Sequence, residues 1–157
     1  MGVAGSGKTT LGKKLAEALA CPFYEGDDFH PPANVKKMSQ GVALTDEDRE
    51  PWLRLLVENI NIWKQANPVF VLACSALKAK YRRILETNGK VQWIYLKGSF
   101  DLVSQRLSKR VGHYFPSELL QSQFHDLEEP TDALVLDMAL PVAKMVEITR
   151  DQLSLEK

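Results

Sequence analysis

Cysteine is scarce: Cys21 and Cys74 are the only two in 157 residues. So few, so far apart, read as free thiols of a reducing compartment and exclude a disulfide scaffold. Charge of one sign is lacking as well, since twenty Lys and Arg balance twenty Asp and Glu. No global field therefore draws the chain to nucleic acid or to an anionic membrane. No apolar run approaches the roughly 18 residues of a membrane span, and the N-terminus has no signal-peptide pattern. Internal repeats, low-complexity segments and long linkers are missing too. His30 and His125 are too far apart and too poorly accompanied for a zinc site, and no Ser-His-Asp order is legible around Cys74 and Ser75. These exclusions leave one cytoplasmic domain, 45% hydrophobic and 25% charged, large enough to bury its own core.

What is present begins at residue 2. Gly2-Val3-Ala4-Gly5-Ser6-Gly7-Lys8-Thr9 fits the pattern G-x-x-x-x-G-K-[ST], a loop whose backbone N–H groups converge on a polyphosphate. Gly2, Gly5, Ser6 and Gly7 form the cradle, Lys8 reaches the β/γ-phosphates, and the Thr9 hydroxyl ligates Mg²⁺, with Thr10 next to it in the nucleotide-binding set. A helical run from Lys8 follows, with Leu11, Leu15, Ala18 and Leu19 on one face and its positive end toward the phosphates.

Strand and helix signals then alternate. Phe23 and Tyr24 form a short strand, and residues 33–40 a short helix. Thr45 caps a helix whose apolar positions are Trp52, Leu56, Ile60 and Trp63, with Pro51 read as a restart or a first-turn proline. The apolar run 69–74 suits a strand buried on both faces. Residues 77–87 form a basic helix, 91–96 a strand, and Ser99 caps a helix to about residue 111. Residues 117–124 form another helix, 133–136 the last strand, and Pro141 opens the C-terminal helix. The alternation predicts an α/β fold, a P-loop three-layer sandwich with a parallel sheet between helices and ligands at the carboxyl ends of the strands.

Three charged clusters fall on that rim. Asp27 and Asp28 follow the first strand. A carboxylate there either holds Mg²⁺ through water or accepts the proton of a hydroxyl attacking the γ-phosphate; an ordinary turn role weighs equally. Ser75, Lys78, Arg82 and Arg83 follow the strand at 69–74, and Lys78 and Arg82 share a helical face that suits an anionic substrate. Arg106, Lys109, Arg110 and His113 straddle a glycine-containing break, where arginines can close over a triphosphate, or simply end a helix in solvent.

The wording of the sequence is more specific than its spacing. Gly26-Asp27-Asp28-Phe29-His30-Pro31, Asn34, Lys37-Met38, Gly41, Leu44-Thr45-Asp46, Asp48-Arg49 and Pro51-Trp52-Leu53 resemble the signature of the gluconate kinase (gluconokinase) family. Cys74-Ser75-Ala76-Leu77-Lys78 with Tyr81-Arg82 resembles a second block, and Arg110, Gly112-His113, Phe115, Gln123-Phe124 and Leu127-Glu128 resemble its lid, about residues 106–124. The resemblance implies the fold of shikimate and nucleoside monophosphate kinases, and transfer of the γ-phosphate of ATP to the 6-hydroxyl of D-gluconate. It puts Asp27 beside the accepting hydroxyl, Arg49, Lys78, Arg82 and His113 on the sugar acid, and Arg106 and Arg110 in the lid over ATP. Lys8, Asp27 and Arg110 are then the catalytic set, with Thr9 and Asp27 on the metal. A homodimer is consistent with it. A kinase of another small hydroxy acid, such as shikimate, is the nearest rival.

One departure stands out. Family members carry an apolar strand ahead of the P-loop, central in the sheet, and this sequence begins where that strand ends. About five buried apolar residues are worth on the order of 10 kcal/mol, comparable with a domain's net stability. The expectation is either an internal Met1 or a compromised variant, which leaves a catalytically inactive nucleotide-binding module as a reading from another class.

Overall fold

A computed structural model describes residues 1–86, 89–109 and 115–153. The chain enters its first helix through glycines in the left-handed region, Gly5 at φ +76° and Gly7 at +99°, which side-chain-bearing residues adopt at a cost. Helix α1 (Lys8–Leu19) starts without an acidic residue in its first turn or a side-chain cap, so its leading N–H groups stay open to an anion.

Strand β1 (Phe23–Glu25) pairs in parallel with β2 (Val71–Ala73), Tyr24 opposite Leu72. Strand β3 (Ile94–Lys97) pairs in parallel with β4 (Leu134–Asp137), Tyr95 opposite Val135. Strands β2 and β3 are shorter than the runs at 69–74 and 91–96 that announce them. The run at 69–74 contributes only three ladder residues because its partner β1 offers only three.

Alternation along the strands shows the layers. In β1, Phe23 packs on α1 so closely that a Cβ at Gly12 would lie 2.5 Å from its ring. The next residue, Tyr24, turns the other way and stacks on Trp63 of α3 (Asp46–Ala66), centroids 3.7 Å apart. In β3, Tyr95 joins the core of Trp52, Leu56 and Ile60, whereas Leu96 joins Leu11 and Met145. Helices cover both faces, and the three-layer α/β expectation is met. The remaining helices are α2 (Pro32–Ser39), α4 (Ala79–Leu85), α5 (Phe100–Ser108), α6 (Ser117–Asp126) and α7 (Val142–Gln152). Among the described residues no helix is long and apolar enough to cross a membrane.

Pro51 neither restarts nor opens a helix: α3 runs through it. The bond it forgoes lies near the amino-terminal end, where a capping box between Thr45 and Asp48 fixes the entry, and burial of Trp52, Leu53 and Leu56 outweighs one lost N–H.

Ahead of the P-loop, the two strand pairs are bridged by Met1 and Gly2. The Met1 ammonium donates to the Ile94 carbonyl at 2.6 Å, Leu96 N–H donates to Met1 O at 3.0 Å, and Gly2 N–H donates to Ser75 O at 3.3 Å. Met1 thus makes parallel-strand contacts beside the middle of β3, and Gly2 bonds just past the carboxyl end of β2.

Candidate functional site

The P-loop is held from three sides. Gly5 lies against α5, where a Cβ would come within 2.8 Å of the Leu107 side chain. Ala4 N–H donates to Gln123 Oε1 of α6 at 2.6 Å. Lys8 Nζ donates to Val3 O at 2.9 Å, so the lysine curls over its own loop. The space where a Gly7 side chain would stand is open, with nothing within 4 Å. Open space at Gly7, the uncapped start of α1 and a lysine ammonium above them are a donor set that fits a polyphosphate. The Ser6 hydroxyl is buried without a hydrogen-bond partner, and the Ser6 N–H donates to Val3 O at 3.3 Å. Thr9 and Thr10 are exposed at the start of α1, and the Thr9 hydroxyl donates to Glu25 Oε2 at 2.6 Å.

Glu25 ends β1, and a single 3-10 turn, Gly26–Phe29, carries the chain onto the rim. Trp52 anchors this turn by donating its indole N–H to Gly26 O at 2.8 Å. His30 stacks on the same indole, centroids 4.5 Å apart, and its Nε2 lies 3.8 Å from Asp27 Oδ1. Burial holds the His30 imidazole below its usual pKa; Asp27 opposes this, while Arg49 adds to it. Asp27 itself is two-thirds exposed.

A basic cluster adjoins this turn. Arg49 of α3 is 7% exposed, its Nη2 3.9 Å from Asp126 Oδ2 and its guanidinium over the Tyr81 ring. Its Nε has no hydrogen-bond partner. Lys78 Nζ lies 3.0 Å from Asp46 Oδ1 and 3.5 Å from Asp126 Oδ1. Asp46 also accepts from Lys80 and from the Tyr81 hydroxyl. Hydrogen bonds from Lys80, Tyr81 and Lys78 hold its carboxyl well below the usual range. The bond to Asp46 in turn raises the Lys78 pKa.

Of the residues expected to meet the sugar acid, Arg49 and Lys78 converge on Asp126. Arg82 shares their region but turns inward: its Nη1 donates to the carbonyls of Ala76 and Leu77, both at 3.0 Å, at 7% exposure. Through these bonds Arg82 braces a loop in which Ala76 adopts a left-handed φ of 44°. Arg106 donates to Met138 O at 2.6 Å, tying α5 to the turn after β4. Arg110 and His113 lie outside the described residues. Cys74 is buried and its thiol is pushed up to about 12, chiefly by burial, which keeps it from being a nucleophile.

Glu25 and Asp126 were missed by sequence reasoning, and Gln123 was named only within the block that resembles the family's lid. Glu25 was signalled by its position, the residue between an apolar strand and a rim turn. Asp126 carried no signal of its own, and the contact of Gln123 with Ala4 could not be read, because the groups they touch are distant in sequence.

The comparisons follow this geometry. Residues 4–128 match the family described as shikimate kinase, which together with the P-loop and the three-layer fold defines the class: a small P-loop kinase. Within that class, the thermoresistant gluconokinase of Escherichia coli K12 is 42% identical over 154 residues, 95% of this chain and 88% of that one. A gluconokinase structure from Sinorhizobium meliloti 1021 superposes with a TM-score of 0.86 at 41% identity, covering 98% and 89% of the two chains. A sugar kinase from a Janibacter species gives 0.91 at 41%, covering 99% and 92%. The chain belongs to the gluconokinase family.

Proposed function

We propose that this chain transfers the γ-phosphoryl group of ATP to the 6-hydroxyl of D-gluconate, giving 6-phospho-D-gluconate and ADP. The observation that carries the acceptor is Arg49: a nearly buried guanidinium with an unpartnered Nε, beside the Asp27 turn and within reach of Lys78 through their shared Asp126. Such a group suits the carboxylate of a sugar acid.

ATP supplies the phosphoryl group, and Mg²⁺, when bound, would neutralise much of the phosphate charge. Lys8 and the N–H groups opening α1 hold the phosphate charge that builds up in transfer. Asp27 accepts the proton of the attacking hydroxyl as the new P–O bond forms and the bond to the β-phosphate oxygen breaks. Thr9, whose hydroxyl donates to Glu25, and Asp27 would be the residues that hold Mg²⁺. By the family resemblance Arg106 and Arg110 belong to the lid over ATP and His113 meets the sugar acid. The role of Arg82 in this reading is to position the loop that carries Lys78. The same reading makes the protein a cytoplasmic enzyme of small molecules.

A second reading, phosphorylation of another hydroxy acid such as shikimate, draws on the family match at residues 4–128. ADP release measured with gluconate, shikimate and nucleoside monophosphates separates the two. Turnover confined to gluconate and lost in Lys8→Ala supports the first; a faster rate on shikimate supports the second. Thermal stabilisation by Mg-ATP without turnover on any acceptor overturns both.

A further inference from the structure

Helix α6 touches both halves of the site described above. Its apolar side forms one cluster with them: buried Leu120, with Phe124 and Leu127, packs with Val3 of the P-loop and with Leu77, the residue before Lys78. Polar contacts repeat the pattern. Gln123 Oε1 accepts from Ala4 N–H at 2.6 Å. Three residues on, Asp126 lies 3.9 Å from Arg49 and 3.5 Å from Lys78. Just past the helix, Glu128 N–H donates to Leu77 O at 3.0 Å, and Glu128 Oε2 accepts from Ala79 N–H at 2.7 Å. Both peptide groups flanking Lys78 are thereby held.

Positions 123 and 126 share a helix face, so a single turn carries one contact with the phosphate side and one with the acid side. The two loops also meet directly, Gly2 N–H on Ser75 O at 3.3 Å, but that bond reaches neither Ala4 nor the side chains of Arg49 and Lys78. Neither Gln123 nor Asp126 is needed for a bond to form or break. What phosphoryl transfer asks of its frame is separation and alignment, because the protein has little covalent chemistry to do.

We propose that Gln123 and Asp126 are positioning residues that act as one: α6 is a bar that fixes the P-loop at a set separation from Arg49 and Lys78, and with it the γ-phosphate from the attacking hydroxyl. The proposal rests on the kinase reading above and adds the element that aligns its two substrates. Loss of either contact frees one end of the bar, so the two losses overlap instead of multiplying. Each substrate keeps its own ligands, which places the loss in kcat.

The test is a double-mutant cycle in the full chain: Gln123→Met, which keeps the length and removes the acceptor, Asp126→Asn, and the two together. Steady-state kinetics in both substrates and Tm are measured for each. The expected result is a kcat lowered about 10- to 100-fold in each single variant, with both KM values within about threefold of the parent. The double variant should fall within about threefold of the worse single. Gln123→Asn keeps the amide but shortens its reach by one methylene; it should lose the same kcat, and it decides the outcome if the Met variant does not fold. Losses that multiply in the double variant overturn the proposal. So does a Gln123 effect confined to Tm or to the KM for ATP, which would make that side chain a local prop of the P-loop. The cycle is run on whichever acceptor the parent turns over, so a wrong acid leaves it standing. A parent without turnover on any acceptor overturns the kinase reading and this proposal with it.

Discussion

The hydroxyl of Thr9 donates to Oε2 of Glu25 across 2.6 Å, joining the first turn of α1 to the last residue of β1. With its proton directed at the carboxylate, the Thr9 oxygen keeps its lone pairs for a cation. Thr9→Val is expected to raise the Mg²⁺ concentration for half-maximal rate by about 10- to 100-fold, and Glu25→Gln, which keeps the shape but loses the charge, by less. Initial rates across a Mg²⁺ series at fixed ATP report this. An unchanged Mg²⁺ dependence in both variants removes the pair from the metal site.

Asp27 stands on a turn pinned from beneath by the Trp52 indole, so replacing its exposed side chain leaves the turn in place. Asp27→Asn is isosteric and is expected to lower kcat by about 10²- to 10⁴-fold, with the KM for ATP little changed. Steady-state kinetics in both substrates checks this. A kcat within about twofold of the parent takes proton acceptance away from Asp27.

His30 sets a pH dependence. Burial, the dominant cause, holds its folded-state pKa below the ordinary value of about 6.5. Below that pH the unfolded chain binds a proton that the folded chain does not, so this contribution is complete above about pH 6.5 and is lost as pH falls. The groups facing the ring are Asp27, Asn34, Trp52 and Arg49. His30→Phe keeps the stack on Trp52 and removes the titration. Going from about pH 7.5 to about 5.5, the Tm of the parent is expected to fall further than that of the variant. Equal losses would show that His30 contributes nothing to the acid limb.

Much of this was legible because it is local. The P-loop, the Thr45 and Ser99 caps and the apolar pairs that end on the rim each depend on a few neighbouring residues, and each is found where the spacing puts it. Element ends were less legible, because β2 stops where β1 stops and no residue of β2 encodes that. Side-chain direction was least legible. Lys78 and Arg82 share a sequence block and an i, i+4 spacing, yet one lies among carboxylates and the other braces a left-handed Ala76. What separates them is the tertiary surroundings of the loop at 76–78, which periodicity does not contain.

Lys78 offers the cleanest test of the acid-binding cluster. Asp46 retains Lys80 and Tyr81 when Lys78 is removed, and Asp126 retains Arg49. Ion pairs this accessible contribute about 0–1 kcal/mol, so Lys78→Met is expected to leave Tm within a few degrees. The KM for gluconate should rise about 10- to 100-fold, the value for losing one charge-assisted contact, with the KM for ATP unmoved. Arg49→Ala should act differently. It empties a nearly buried position above Tyr81 and is expected to lower Tm by several degrees as well as weaken gluconate. Thermal unfolding and two-substrate kinetics on both variants separate these outcomes. A Lys78 variant with an unchanged gluconate KM would make the Lys78–Asp126 contact purely structural and leave Arg49 alone to hold the acid.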